Sequence, residues 1–216
     1  MTPARAFRRT VRRLLQDAGY RITRIPAPQA PSPGAIEVQS VIPAGSHVAA
    51  LAAAVMQTAG EGPVLECGSG DHSTPLLHLL CRDRLLVSAD SNRDWLARFE
   101  KFRSDRHQFE YVENWRRWRG IEERQWAVAF VDCSPSEDRV DLLDRLQGRA
   151  TFVVVHDTET DEDAARVYAF ESVLNRFKYR SDYRIFRPYT SIVSDVRPFE
   201  MTAAESVDGM ETARAR

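Results

Sequence analysis

Residues 64–70 read Val-Leu-Glu-Cys-Gly-Ser-Gly, an apolar run that ends in an acid and continues at once into a G-x-G pair. We interpret this stretch as a buried strand that turns through glycine into a helix, with Thr74 as N-cap and Pro75 as first helical residue. Glycine lets a backbone approach a ligand closely, and a helix start offers unpaired N–H groups. The stretch therefore predicts a small-molecule site.

Two details of this stretch indicate the ligand. A dinucleotide fingerprint needs G-x-G-x-x-G, and Ser73 stands at the third glycine position. The Glu66 carboxylate would repel a pyrophosphate but could pair with the ammonium group of an amino-acid-bearing cofactor. The stretch thus resembles motif I (E-x-G-x-G) of the class I S-adenosylmethionine-dependent methyltransferases, in their small bacterial form. The resemblance implies that Glu66, Gly68, Ser69 and Gly70 bind the cofactor S-adenosylmethionine.

The composition sets the broad class. A chain of 216 residues is most simply one α/β domain with short additions. Its 30 Lys and Arg against 31 Asp and Glu argue against nonspecific nucleic-acid binding by the whole surface. The sequence has no membrane-spanning apolar run and no secretory signal. Cys67, Cys81 and Cys133 lack C-x-x-C spacing, which predicts reduced core thiols in a cytoplasmic protein.

The N-terminal part of the chain is basic. Residues 1–25 carry seven arginines and one acid, with apolar residues at helical spacing, and a proline-rich connector follows. This helix either packs on the domain with a solvated arginine face or docks on a partner or a membrane surface. We therefore divide the chain into a basic helix with its connector (1–45), a methyltransferase-like domain (46–198) and a tail predicted to be disordered (199–216).

A helix is predicted to start at Ser46, its N-cap, just before the first strand. In the methyltransferase resemblance such a helix covers the cofactor pocket and places His47 near the substrate mouth. His47 is either a proton acceptor there or only a polar surface residue.

The second and third predicted strands end in further acids. Leu85 to Ala89 ends at Asp90, about 20 residues beyond the glycines, where nucleotide-binding α/β units place a ribose-hydroxyl acceptor. Ser91 fits as the N-cap of the next helix. The strand Gln108 to Val112 ends at Glu113. The methyltransferase resemblance implies that Asp90, Ser91 and Glu113 line the ribose and adenine.

Residues 115–119, Trp-Arg-Arg-Trp-Arg, interleave aromatic and cationic side chains. They could stack on a base and hold phosphate, or flank the adenine through Trp115. Alternatively, they form a surface turn whose tryptophans tuck under the sheet, which the near-neutral composition favours. Nucleic acid is therefore not an expected partner.

Polar residues also follow the fourth and fifth predicted strands. Trp126 to Val131 ends at Asp132, and Thr151 to Val155 ends at His156-Asp157. In open α/β sheets this carboxyl edge binds ligands. The resemblance implies that Asp132 faces the transferred methyl group and that His156 and Asp157 face the substrate.

We predict His156 as the general base, oriented by Asp157 or Asp132. The alternative is that His156 and Asp157 only cap the next helix and hold the two loops together. The pair Asp132 and Asp157 could instead share a divalent metal.

The C-terminal part contains two alternating segments, Tyr183 to Phe186 and Ser191 to Val196, joined by a turn signal. They predict an antiparallel hairpin, and the resemblance implies that its last strand inserts beside strand 5. The expected fold is an α/β, Rossmann-like seven-stranded methyltransferase sheet with a C-terminal hairpin and an N-terminal helical extension.

The predicted activity is methyl transfer to a small-molecule or sugar hydroxyl. An NAD-type oxidoreductase or epimerase could use the same glycine turn, although Ser73 and the terminal hairpin count against it. A noncatalytic module that binds a partner through its arginine-rich helix is the third possibility. The acceptor and any homo-oligomer are left open.

Overall fold

The structure, a computed structural model, describes residues 45–159 and 170–200 and contains one seven-stranded sheet. The strands are β1 (Val64–Cys67), β2 (Leu86–Asp90), β3 (His107–Tyr111), β4 (Trp126–Val131), β5 (Ala150–His156), β6 (Tyr179–Tyr183) and β7 (Thr190–Ser194). The helices are α1 (Val48–Gln57), α2 (Ser73–Leu80), α3 (Arg93–Ala97), α4 (Asp138–Leu146) and α5 (Phe170–Leu174), with 3-10 turns at Glu100–Phe102 and Gly120–Glu122.

The strand order is β3-β2-β1-β4-β5-β7-β6. Strands β1 to β5 pair in parallel, whereas β7 is antiparallel to both β5 and β6. The structure therefore confirms the predicted sheet, its terminal hairpin and the insertion of the last strand beside β5.

Helices cover both faces of the sheet, so the central strands are buried on two sides and mostly apolar. All six residues of β4 are buried. One core packs Leu51 of α1 and Leu77 of α2 against Phe130 and Phe152. The other packs α4 against the opposite face and includes Trp115 and Trp118. The three cysteines are free and buried, as predicted.

The tryptophans of the basic turn lie under the sheet. Trp115 is 1% exposed, and its Nε1 donates to the Ser134 carbonyl at 3.0 Å. Arg145 of α4 donates to the carbonyls of Trp115 and Trp118. Base stacking on these rings, and an adenine contact by Trp115, are therefore wrong, and the tucked arrangement is confirmed.

Several predicted helix caps are wrong because the hydroxyl groups make other bonds. Helix α1 begins at Val48 and α2 at Ser73, with His47 and His72 as their N-caps. The Ser46 hydroxyl instead contacts His156, and that of Thr74 contacts Glu66.

The predicted N-cap of α3 is also wrong. Asn92 caps it by accepting from the Trp95 N–H, whereas the Ser91 hydroxyl donates to the Ser134 carbonyl. Helix α4 begins at Asp138, with Glu137 as its N-cap residue.

The packed domain extends beyond the predicted boundary at 198. The Phe199 ring lies 5.5 Å from that of Phe152, and the Glu200 N–H donates to Gln57. The predicted basic helix and its connector up to residue 44, residues 160–169 and the predicted tail from 201 lie outside the described residues. Within the described part of the chain, no helix is long and apolar enough to cross a membrane.

Candidate active site at the carboxyl edge of the sheet

The glycine turn after β1 is held against the end of β4. Gly68 has φ +98°, and a Cβ there would lie 2.5 Å from the Asp132 carbonyl oxygen and 2.7 Å from the Cys133 nitrogen. The Asp132 N–H donates to the Cys67 carbonyl at 2.8 Å. Glycine is needed here because two backbones approach closely, and that approach brings the turn beside Asp132.

Asp90 lies against the same turn. Its Oδ2 accepts from the Ser69 N–H and its Oδ1 from the Asn92 N–H, both at 2.8 Å. Burial raises the pKa of the Asp90 carboxyl, partly offset by these bonds. The Ser69 hydroxyl is buried and has no hydrogen-bond partner. Buried polar groups are nearly always paired, so the Ser69 hydroxyl is available to bond a ligand.

The structure places Glu66 beneath the turn rather than in the cleft. Its side chain is completely buried and accepts bonds from Ser88 at 2.5 Å and from Thr74 at 3.0 Å. Thr74 in turn accepts from the Gly70 N–H at 2.9 Å. The predicted ion pair with a cofactor ammonium is corrected, because this carboxyl reaches no open surface. Glu66 supports the turn from below.

Burial raises the pKa of Glu66 from its ordinary 4.5 to about 7, against the opposing effect of bonds from Ser73, Ser88 and Thr74. A raised pKa stabilises the fold below pH 4.5, and this contribution is lost as pH rises through 7. We expect Glu66→Gln to remove this loss. Between pH 4.5 and pH 8, the free energy of unfolding of the variant should rise by up to about 3 kcal/mol relative to that of the wild-type protein.

Urea unfolding at several pH values measures this difference. The exposed Glu137 provides the matched control, and Glu137→Gln should leave the pH dependence of the wild-type protein in place. Equal pH slopes for Glu66→Gln and the wild-type protein would contradict a protonated Glu66 in the folded state.

His156 and Asp132 meet at the ends of β5 and β4. His156 Nδ1 lies 3.2 Å from Asp132 Oδ2 and 3.3 Å from an Asp157 oxygen, while Nε2 lies 2.9 Å from the Ser46 hydroxyl. Burial lowers the pKa of His156, but the bond to Asp132 and the charges of both carboxylates outweigh it and raise the pKa. The Asp132 and Asp157 side chains remain 24% and 28% exposed, so solvent and ligands reach them.

Arg139, in the first turn of α4, connects the parts of this cluster. Its guanidinium pairs with Asp132 and Asp157, each at 3.1 Å, and donates to the Cys133 and His156 carbonyls. Asp157 has φ +58°, a left-handed backbone uncommon outside glycine, which fits strain at a functional site. The contacts of His156 with Asp132 and of Asp157 with Arg139 therefore join the loops after β4 and β5, as the alternative interpretation predicts.

His47 completes the cluster from the start of α1. Its ring lies 4.6 Å from that of His156, and neither of its buried nitrogens has a hydrogen-bond partner. Burial, and then the neighbouring His156, lower the pKa of His47 to about 3, so the ring is neutral. One ligand atom each from His47, Asp132 and His156 lie within 4.8 Å of one another.

The structure thus brings together most of the predicted residues. Gly68, Ser69 and Asp90 lie at one end of the edge, and Asp132 and His156 at the other. Glu113 is exposed after β3, and Ser91 joins the loops after β2 and β4.

Sequence reasoning missed Arg139 and the tertiary role of Ser46. A signal for Arg139 existed, because it lies at i, i+3, i+4 and i+7 spacing with the buried Leu142, Leu143 and Leu146. An arginine on an apolar helix face needs buried partners.

No protein-family model matches this sequence, and no curated protein matches it significantly. Solved structures do share its fold. A candidate O-methyltransferase from Klebsiella pneumoniae superposes with a TM-score of 0.52 at 13% identity, over 86% of this chain and 89% of that one. The human methyltransferase 10 domain containing protein gives a TM-score of 0.52 at 12% identity, over 91% of this chain and 98% of that one.

An rRNA methylase from Streptococcus thermophilus gives a TM-score of 0.52 at 10% identity, over 69% of this chain and 95% of that one. At 10–13% identity, the similarity to these three structures shows a shared fold alone. The chain therefore has the Rossmann-like fold of the class I methyltransferases.

Proposed function

We propose that the protein transfers a methyl group from S-adenosylmethionine to a hydroxyl oxygen of a small molecule or sugar. One observation carries the proposal. The glycine turn with Ser69 and Asp90 lies on the same sheet edge as Asp132 and His156, and the Gly68 contact joins the two halves. A methyl donor and its acceptor need two such adjoining sites.

The residues at the turn fit the proposed cofactor. Ser69 offers an unpaired hydroxyl, and the Asp90 oxygens, each with one bond from a backbone N–H, retain lone pairs for ribose hydroxyls. We propose that Gly68 and Gly70 allow the close approach and that Ser91 and Glu113 border the ribose and adenine. When bound, S-adenosylmethionine supplies an electrophilic methyl group on a sulfonium.

At the acceptor end, His156 is oriented to take a proton. Two carboxylates hold its Nδ1, and its Nε2 already lies at hydrogen-bonding distance from a hydroxyl, that of Ser46. An acceptor hydroxyl near Ser46 would face this nitrogen in the same way. Methyl transfer is an in-line displacement, so the remaining task of these residues is to position the oxygen in a site that excludes water.

Calorimetric titration with S-adenosylhomocysteine tests the proposal. We expect micromolar binding, weakened about 10- to 100-fold by Asp90→Ala because a hydrogen bond to a charged group is lost. Asp94→Ala, an exposed acid on α3, is the matched control and should bind like the wild-type protein.

The same titration with NAD addresses the alternatives. Binding of NAD in place of S-adenosylhomocysteine would replace the proposal with an oxidoreductase or epimerase. Binding of neither would favour the noncatalytic module. A cytoplasmic location belongs to the proposal, and the three free, buried thiols fit a reducing compartment.

A further inference from the structure

His47 is a buried side chain without a partner. It is 6% exposed, and both ring nitrogens lack a hydrogen bond. An unpaired buried polar group costs about 1–3 kcal/mol, so a native protein rarely keeps one without a ligand or water. The neutral ring stands at the start of α1 and faces His156.

The unpaired nitrogens adjoin two further ligand groups. Potential ligand atoms of His47, Asp132 and His156 all lie within 4.8 Å of one another. Asp132 Oδ2 and His156 Nδ1 are 3.2 Å apart, close to the roughly 3–3.5 Å that separates neighbouring ligands around an ion with bonds of about 2.1 Å. The three residues come from α1, β4 and β5, so the fold itself assembles the set.

We propose that His47, Asp132 and His156 bind one divalent transition-metal ion of the zinc class. Two imidazoles and one carboxylate suit Zn²⁺, Fe²⁺, Co²⁺ or Ni²⁺, whereas Mg²⁺ prefers oxygen ligands. The set differs from the Asp132 and Asp157 pair predicted from the sequence. The ligand atoms that lie within 4.8 Å of one another are those of His47, Asp132 and His156, and Asp157 is not in that group.

The surrounding charges favour a cation. Arg139 balances only one of the two carboxylates, Asp132 and Asp157, so one negative charge would remain beside an ion that displaces the proton of His156. With His156 Nδ1 toward the ion, the other ring nitrogen, Nε2, lies 2.9 Å from the Ser46 hydroxyl, which would orient the ring as second-shell partners of metal-bound histidines do.

The chemical role of the ion rests on the proposed function, whereas the existence of the metal-binding site does not. A bound ion would lower the pKa of the acceptor hydroxyl as a Lewis acid. His156 would then be a ligand rather than the base, and the proton of the acceptor hydroxyl would pass to solvent water, which reaches this edge at the partly exposed Asp157.

The test uses the full chain, stripped with a chelator and titrated with Zn²⁺, Co²⁺ and Mg²⁺. We expect one Zn²⁺ per chain at micromolar affinity or tighter, visible Co²⁺ absorption bands of a nitrogen and oxygen site, and at least 100-fold weaker Mg²⁺ binding. His47→Phe keeps the ring and removes both unpaired nitrogens, so it should fold yet bind Zn²⁺ at least 30-fold more weakly.

His78→Phe makes the same substitution in a half-buried histidine away from the edge and should leave Zn²⁺ binding unchanged. Asp132→Asn is the second ligand variant, for use if His47→Phe does not fold. Absence of Zn²⁺ binding, or binding that survives both ligand variants, would overturn the site. A parallel titration with S-adenosylhomocysteine shows separately whether the proposed function fails.

Discussion

Replacing His156 by glutamine is expected to lower the rate of methyl transfer about 10²- to 10⁴-fold, the usual contribution of an acid–base group. The imidazole lies between two carboxylates and the Ser46 hydroxyl, and glutamine neither accepts the proton nor replaces a metal ligand of this type. S-adenosylhomocysteine formation across a panel of hydroxyl acceptors, catechols and sugars included, measures the rate.

Because His156 lies at the acceptor end, the variant should bind S-adenosylhomocysteine with wild-type affinity. His78→Gln, the same change on α2, should retain full activity. If His156→Gln keeps at least half of the wild-type rate, His156 and Asp157 only hold the loops together, as the alternative interpretation has it.

Replacing Gly68 by alanine is expected to destabilise the protein by about 2–5 kcal/mol. Its φ of +98° costs an L-residue about 1–2 kcal/mol, and forcing a methyl group into a packed site adds about 1–3 kcal/mol. The new Cβ would lie 2.5 Å from the Asp132 carbonyl oxygen, which is backbone and cannot rotate away. Urea unfolding measures the loss.

Gly60→Ala separates the two effects. Gly60 has a similar φ of +80°, and a Cβ there would meet nothing within 4 Å. The Gly60→Ala variant should therefore lose only the conformational part of the unfolding free energy, about 1–2 kcal/mol. Equal losses for the two variants would contradict a close approach between the turn and the end of β4.

The sheet could be predicted because its strands are distinctive in sequence. Trp126–Val131 is a continuous apolar run bounded by polar residues, and the structure places β4 over the same residues. The edge strand β6 was predicted too late, at Tyr183 rather than Tyr179, because Ser181 interrupts the apolar face that Tyr179 and Tyr183 share.

The site was predicted only in part because local patterns do not identify tertiary partners. Ser46 and Thr74 have the composition of helix caps, yet their hydroxyls bond to residues 110 and 8 positions away. Glu66 matches a motif, but only the three-dimensional structure reveals that it is enclosed. The importance of His47 depends on its ring nitrogens having no hydrogen-bond partner, which no sequence pattern predicts.

Arg139 has a thermodynamic consequence for binding. One guanidinium fixes both carboxylates and the main chain after β4 and β5 without any ligand present. The conformational entropy of ordering these groups is therefore lost during folding rather than on association. We expect acceptors to associate with this described part of the site at a rate limited by diffusion and access, with little rearrangement on the way.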